Sequence, residues 1–86
     1  MTIKNIEIVP IKPHQGLIGI VHLEFEDSLY LGSIGLHRRM DGSGYRITYP
    51  TKKVGEHNVA IYHPINKLLS KEIETTILQK AAEMFG

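Results

Sequence analysis

The stretch that decides the fold is Leu17-Ile18-Gly19-Ile20-Val21-His22-Leu23-Glu24-Phe25-Glu26. Its odd-numbered positions are apolar or glycine throughout, whereas its even-numbered positions turn polar from His22 onward. Alternation with a period of two is typical of a strand that buries one face. The tight turn Glu26-Asp27-Ser28 follows, and residues 29–39 predict a second strand, so we expect these two strands to form a hairpin.

The flanking segments predict further strands of the same sheet. Residues 2–11 predict a strand that Pro10 ends at a sheet edge or a bulge, and residues 12–16 predict a loop. In the strand at 29–39 we expect Leu31 to face away from Ile34, with a bulge or a close backbone approach near Gly32 and Gly35. After a glycine-rich turn at 41–44, residues 45–49 predict a fourth strand, residues 51–57 a polar basic loop, and residues 58–62 a fifth strand.

The last segment changes to a helical period. Its apolar stripe is formed by Leu69, Ile73, Ile77, Ala81 and Met84, with Leu78 and Phe85 beside it. Either Ser70 or Asn66 is expected to cap its N-terminus, and Gly86 follows its end. The chain is therefore predicted to be one α+β domain over residues 1–86: an antiparallel β-sheet of about five strands with one C-terminal amphipathic helix.

Composition narrows the class of protein. The 86 residues are 42% hydrophobic and 22% charged, which is typical of a globular domain. Because there is no cysteine, disulfides, cysteine-based metal sites and thiol nucleophiles are excluded. No signal peptide or membrane-spanning run is evident, so we expect a cytoplasmic protein without a membrane partner. A small domain without covalent or metal staples often oligomerises, which predicts a homodimer.

Charge is concentrated in the middle of the chain. The net charge is only +1, yet residues 37–53 hold one acid, Asp41, against five basic residues: Arg38, Arg39, Arg46, Lys52 and Lys53. These five are the candidate nucleic-acid-binding residues, because clustered positive charge attracts anions. The alternative is a solvated sheet face with a charged loop. Tyr30, Tyr45 and Tyr49 lie in or beside this segment, where they either stack on bases or pack across strands.

Motifs of catalysis are missing from the sequence. Gly42-Ser43-Gly44 lacks the context of a phosphate loop, and no serine lies in a nucleophile elbow. The five histidines have no spacing typical of zinc, although His37 and His57 are expected near the basic surface. We therefore predict neither an enzyme nor a cofactor nor a small-molecule substrate.

Two short motifs in order resemble a known family. Pro50-Thr51-Lys52-Lys53 ends a strand, and His63-Pro64-Ile65 precedes the helix. These motifs, together with the opening strand, resemble the SpoVG family, which is named after stage V sporulation protein G. The similarity spans essentially the whole chain. One departure is Arg46, which stands where members usually carry an aromatic or apolar residue.

The resemblance implies a small cytoplasmic homodimer that is not an enzyme. Such a protein binds DNA, and in some members RNA, as a regulator linked to septation, cell division, sporulation and cell-surface genes. Its nucleic-acid contacts would fall on Lys52 and Lys53, in the loop beside Arg46. The alternative function is a protein-interaction or structural module whose basic patch binds an acidic protein partner, without nucleic-acid binding.

Overall fold

A computed structural model describes residues 3–86 and has the predicted α+β class. In chain order its elements are β1 (Ile3–His14), β2 (Leu17–Phe25), β3 (Leu29–Arg38), β4 (Tyr45–Thr48), β5 (Thr51–Val54), β6 (His57–Ala60) and α1 (Lys67–Phe85). The predicted start of the first strand at Thr2 lies outside the described residues.

The first four strands form one antiparallel sheet in the order β1-β2-β3-β4. The predicted hairpin of β2 and β3 is confirmed. Glu26 and Asp27 both take positive φ angles, 52° and 55°, and the Ser28 N–H donates to the Phe25 carbonyl at 3.0 Å. Two positive φ angles in succession match the right-handed twist of the flanking strands, so the turn keeps them paired.

The first strand is longer than predicted. It continues through residues 12–14, which we expected to be a loop, and the turn is reduced to Gln15 and Gly16, with φ angles of 51° and 90°. β1 is an edge strand, as Pro10 indicated, because proline has no N–H to donate to a strand on its other side.

Bulges rearrange the two faces of the sheet. The register passes from Val21↔Ile34 to Leu23↔Leu31, so β3 holds one extra residue, and Ser33 there has a φ of 61°. The bulge near Gly32 is thus confirmed, but Leu31 packs against the same core as Ile34, and our assignment of these two to opposite faces is wrong. A second bulge, in β2, turns Ile18 into the core as well.

The helix covers one face of the sheet and completes the core. Asn66, rather than Ser70, is the N-cap, and its side-chain oxygen accepts from the Leu69 N–H at 3.0 Å. Ile77 and Ala81 are fully buried, but Met84 is exposed and Phe85 packs against the core in its place. The buried hydrophobic residues are Ile8, Ile18, Val21, Leu23, Ile34, Leu36, Ile73, Ile77 and Ala81.

The last two strands stand apart from this core. Residues 51–57, predicted as a loop, form β5 and its turn, and the predicted fifth strand is β6, which pairs with β5 instead of joining the main sheet. The Ile61 N–H donates to the Pro50 carbonyl at 2.9 Å and closes the base of the hairpin. Every residue from 51 to 61 is exposed, and we call this segment the arm.

Candidate nucleic-acid interface

All three arginines meet at one end of the main sheet. Arg38 ends β3, Arg39 follows it, and Arg46 lies in β4 opposite His37. We call this region, together with the adjoining Gln15-Gly16 turn and Met40, the arginine end. It is the end at which the β1–β2 turn and the β3–β4 loop meet, since Leu17 pairs with His37 and Arg38 with Tyr45.

Backbone hydrogen bonds hold the arginine end in shape. The Arg38 N–H donates to the Gly16 carbonyl at 2.8 Å, and the Arg39 N–H donates to the Gly44 carbonyl at 2.8 Å. Within the loop, the Gly42 N–H donates to the Arg39 carbonyl at 3.0 Å. The sharp turn predicted for residues 41–44 is therefore confirmed, and it fixes the direction in which Arg39 leaves the sheet.

The three guanidinium groups leave from different sides of this end. Arg38 shares the helix-covered face with Tyr45, and its guanidinium carbon lies 5.1 Å from the centre of the Tyr45 ring. Arg46 is on the opposite, outer face with His37. Stacking on an aromatic ring limits the rotamers of Arg38, so its charge is held in place before a ligand arrives.

None of the three arginines forms an ion pair with a carboxylate of residues 3–86. Among residues 3–86, the ion pairs are Lys4 with Asp27 and His22 with Glu7, both away from the arginine end. Asp41 is the acid closest in sequence, and its carboxylate accepts from the Ser43 N–H at 2.9 Å. The hydrogen bonds from Ser43, and to a lesser degree the charge of Arg39, lower the pKa of Asp41, so it remains an anion that only partly offsets three cations.

His37 lies beside this charge, as expected, but it is partly buried. Its Nε2 lies 2.9 Å from the Thr48 hydroxyl oxygen, next to Gly35, where a β-carbon would approach that hydroxyl to 2.7 Å. Gly35 is thus a close approach, as predicted for one of the β3 glycines. Desolvation, and then the charge of Arg46, lower the pKa of His37 from 6.5. The imidazole therefore stays neutral near pH 7 and adds no charge to the basic surface.

Two recesses adjoin the arginines. The first, of about 400 Å³, opens on the helix side and is lined by Arg38 and Arg39 together with the apolar side chains of Ile11, Pro13, Ile18, Met40 and Phe85. The second, of about 450 Å³, shares Gly16, Arg38 and Met40 with the first and adds Gln15 and Arg46. A basic rim thus borders an apolar floor.

Lys52 and Lys53 do not belong to this arrangement. Both lie in β5 of the arm, paired with Val59 and Asn58, and our expectation that they share a loop beside Arg46 is wrong. Because successive residues of a strand face opposite sides, the two lysines leave the arm from opposite faces. A β5 strand was not predicted because it is only four residues long, its two central residues are lysines, which are depleted in strands, and it pairs only with β6.

Of the three tyrosines in or beside the basic segment, two pack within the protein and one is exposed. Tyr45 packs against Phe85 with ring centres 6.3 Å apart, and Tyr49 packs edge-on against Tyr62 at 6.0 Å. Burial raises the pKa of Tyr49 and of Tyr62. Tyr30 differs, because it is largely exposed on the outer face and lies against His22 at 5.7 Å. Packing therefore accounts for Tyr45 and Tyr49, whereas Tyr30 is open to solvent.

Sequence reasoning missed the apolar part of the site. Met40 is fully exposed and Phe85 lies at the end of the helix, and neither position carries a signal that the two line the same recess. Over residues 3–86 we find no group of three potential metal-ligating side chains. In the same residues no helix is long and apolar enough to cross a membrane.

Comparison with known proteins returned no matching family model and no significantly similar curated protein.

Proposed function

We propose that this protein binds nucleic acid through phosphate contacts at the arginine end and acts as a homodimeric regulator. The observation that carries the proposal is that Arg38, Arg39 and Arg46 all lie at one end of the sheet and none has a carboxylate partner in residues 3–86. The planar guanidinium donates two parallel hydrogen bonds to a phosphate, so three of them suit a polyanion better than three lysines would. Phosphate contacts of this kind orient a protein and do not read sequence.

The biological setting of the proposal comes from the sequence motifs. Pro50-Thr51-Lys52-Lys53 and His63-Pro64-Ile65 resemble the SpoVG family, which supports a cytoplasmic DNA- or RNA-binding regulator linked to septation, cell division and sporulation, with no catalytic activity. Lys53 adds a further phosphate contact from the arm. The competing function, binding of an acidic protein, uses the same surface but requires no binding of oligonucleotides.

The arm supports the homodimer. An isolated two-stranded hairpin is marginally stable in water, yet every residue of the arm is exposed in the single chain. Val54 and Val59 are each about half exposed, and they share one face with Lys52 and His57. A second copy provides the complement, since a groove of about 250 Å³ beside the arm's base is lined by Phe25, Leu29, Leu31, Pro64, Ile65 and Leu69 among others.

Each chain carries both the arm and the groove, so two copies pair about a two-fold axis. The face of each arm that carries Val54 and Val59 enters the groove of the other copy, so the interface is self-complementary and closes after two subunits. Lys52 is then covered at the interface, whereas Lys53, on the opposite face, stays in contact with solvent. The homodimer doubles the number of phosphate contacts along one nucleic acid.

A titration of fluorescent DNA and RNA oligonucleotides at several salt concentrations tests nucleic-acid binding. Each lost phosphate contact lowers the log–log salt slope by about 0.9 on duplex DNA and about 0.7 on single strands. Arg39→Ala with Arg46→Ala removes two such contacts per subunit. Lys67→Ala with Lys71→Ala removes the same charge from the exposed start of α1 and is the matched control.

Binding that weakens steeply with salt, with a slope reduced only in the arginine variant, supports the proposal. An equal loss in the two variants would mean that net charge, and not the arginine end, attracts the ligand. Failure of every oligonucleotide to bind at low salt would reject nucleic-acid binding and favour the acidic protein partner.

A further inference from the structure

The apolar recess at the arginine end is larger than phosphate binding requires. Its floor combines Ile11 and Pro13 from β1 and Ile18 from β2 with Phe85 at the helix end, and Met40 also lines it. Phosphates need donors and positive charge, which the rim supplies, but they gain nothing from the apolar side chains of the floor. The recess therefore suits a ligand that carries an apolar group directly beside its negative charge.

The neighbouring recess gives the direction in which such a ligand continues. It shares Gly16, Arg38 and Met40 with the apolar recess and leads across the end of the sheet to Arg46 on the outer face. The Arg38 guanidinium, held against the Tyr45 ring, stands at the junction of the two. A chain with one apolar group in the first recess thus meets positive charge on both sides of it.

We propose that the apolar recess holds one unpaired base of a single-stranded nucleic acid, while Arg38, Arg39 and Arg46 contact the adjacent phosphates. This inference rests on the nucleic-acid binding proposed above and specifies its ligand. In a duplex both faces of a base are covered by its neighbours, so a base enters a recess only after it leaves the stack. A single strand needs no such step, and bases of any sequence gain from an apolar surface.

The recess is already formed in the free chain. Hydrogen bonds from Arg38 to Gly16 and from Arg39 to Gly44 fix its two walls, each at 2.8 Å between nitrogen and oxygen. Little ordering of the protein is then required when the base enters, which favours affinity. Met40 is the exception, because its side chain is fully exposed and has no contact that fixes it.

A tryptophan at position 40 reports directly on the occupied recess. The chain contains no tryptophan, so Met40→Trp introduces a single emitter, and it replaces a side chain outside the core. Leu68→Trp, at an exposed position near the other end of α1, is the matched control. Four ligands are compared at one salt concentration: a single strand, the duplex of the same sequence, an abasic single strand of equal length, and a free mononucleotide.

We expect the single strand to quench Met40→Trp and to leave Leu68→Trp unchanged. The abasic strand, with the same phosphates and no bases, should bind wild-type protein roughly tenfold or more weakly, because the gain from stacking and burial of a base is lost. The duplex should bind more weakly than the single strand and should not quench.

Three results would overturn the inference in distinguishable ways. Equal binding of the abasic and intact strands would leave phosphate binding standing and remove the base from the recess. Quenching by the mononucleotide at the same concentration as by the strand would assign the recess to a soluble nucleotide. Failure of all four ligands to bind would reject the proposed function together with this inference.

Discussion

The main sheet with its helix and the arm are built from the same chain, but only the sheet and helix share a buried core. Every buried hydrophobic residue lies in β1, β2, β3 or α1, whereas residues 51–61 contain none. The sheet and helix carry their own core, whereas the arm is exposed along its whole length in the single chain. The difference also separates the charges, because the arginines are held by the core-bearing part and the two arm lysines are not.

The largest expected effect comes from the core. Ile77 is fully buried between the helix and the sheet, so Ile77→Ala should lower the free energy of unfolding by about 2–5 kcal/mol. Val59→Ala removes two methyl groups from the arm and should cost only about 0.5 kcal/mol in the monomer, since exposed positions contribute little. Denaturant unfolding at low protein concentration measures both.

Equal losses of unfolding free energy in Ile77→Ala and Val59→Ala would contradict the contrast between the buried core and the exposed arm. An unchanged melt of Ile77→Ala would mean that α1 does not pack on the sheet as described. A loss in Val59→Ala that grows with protein concentration would sharpen the comparison, because it would show that the arm is covered by another copy.

The second effect concerns the two faces of the arm. Val54→Asp replaces an apolar side chain on the face shared with Val59 by a carboxylate and should weaken the dimer roughly a hundredfold, because the carboxylate would lose its water in the apolar groove of the other copy. Asn58→Asp adds the same charge to the opposite face, beside Lys53, and should leave the dimer intact. Light scattering across a dilution series distinguishes them. If the wild-type chain scatters as a monomer at high concentration, the arm has no second copy as partner.

The strands and the helix could be predicted because their periods are local. Alternation in residues 17–26 and the spacing of Ile73, Ile77 and Ala81 report burial without knowledge of the partner. The bulge at Ser33 could not be predicted in position, since it depends on how β2 and β3 align, and one extra residue reverses every face beyond it. The prediction for Leu31 failed for that reason.

Of the candidate site, only its basic residues could be predicted from the sequence. Composition identified the five basic residues of the middle segment, but their separation into an arginine end and an arm follows from the pairing of β5 with β6. The apolar recess was not predictable at all, because Ile11, Met40 and Phe85 are far apart in sequence and meet only through the fold. Recesses of this kind are a property of tertiary packing and leave no local pattern.

The third effect distinguishes the lysines from one another. Lys53→Ala should lower the salt slope of nucleic-acid binding by up to about 1.8 for a dimer on duplex DNA, one contact per subunit, or about 1.4 on a single strand. Lys52→Ala should leave that slope unchanged and instead alter dimer stability, because Lys52 shares the face of Val54 and Val59. Equal slopes in wild type and Lys53→Ala would mean that the arm touches no phosphate, and the arginine end would carry the contact alone.

The smallest effect is the response of the arginine end to pH. Because the pKa of His37 in the folded chain is below its ordinary value of 6.5, the unfolded chain binds this proton more readily. The contribution of neutral His37 to stability is therefore complete above about pH 6.5 and is lost as the pH falls from there through the lower folded pKa. His37→Gln, which still offers Thr48 a hydrogen bond, should reduce the fall in melting temperature between pH 8 and pH 5.5, while the other four histidines remain in both proteins.

The same residue tests how closely Arg46 and His37 are coupled. Desolvation is the larger cause of the lowered pKa and the charge of Arg46 is the smaller, so Arg46→Ala should raise the pKa of His37 without restoring its ordinary value. Arg39→Ala, which removes the same charge from the loop, is the control and should shift this pKa less, because Arg46 is the residue paired with His37 across the strands. Proton NMR of the imidazole across a pH titration measures all three proteins. A pKa of His37 that is the same in wild type and Arg46→Ala would show that Arg46 extends away from the sheet, and its guanidinium would then be free to follow a bound strand.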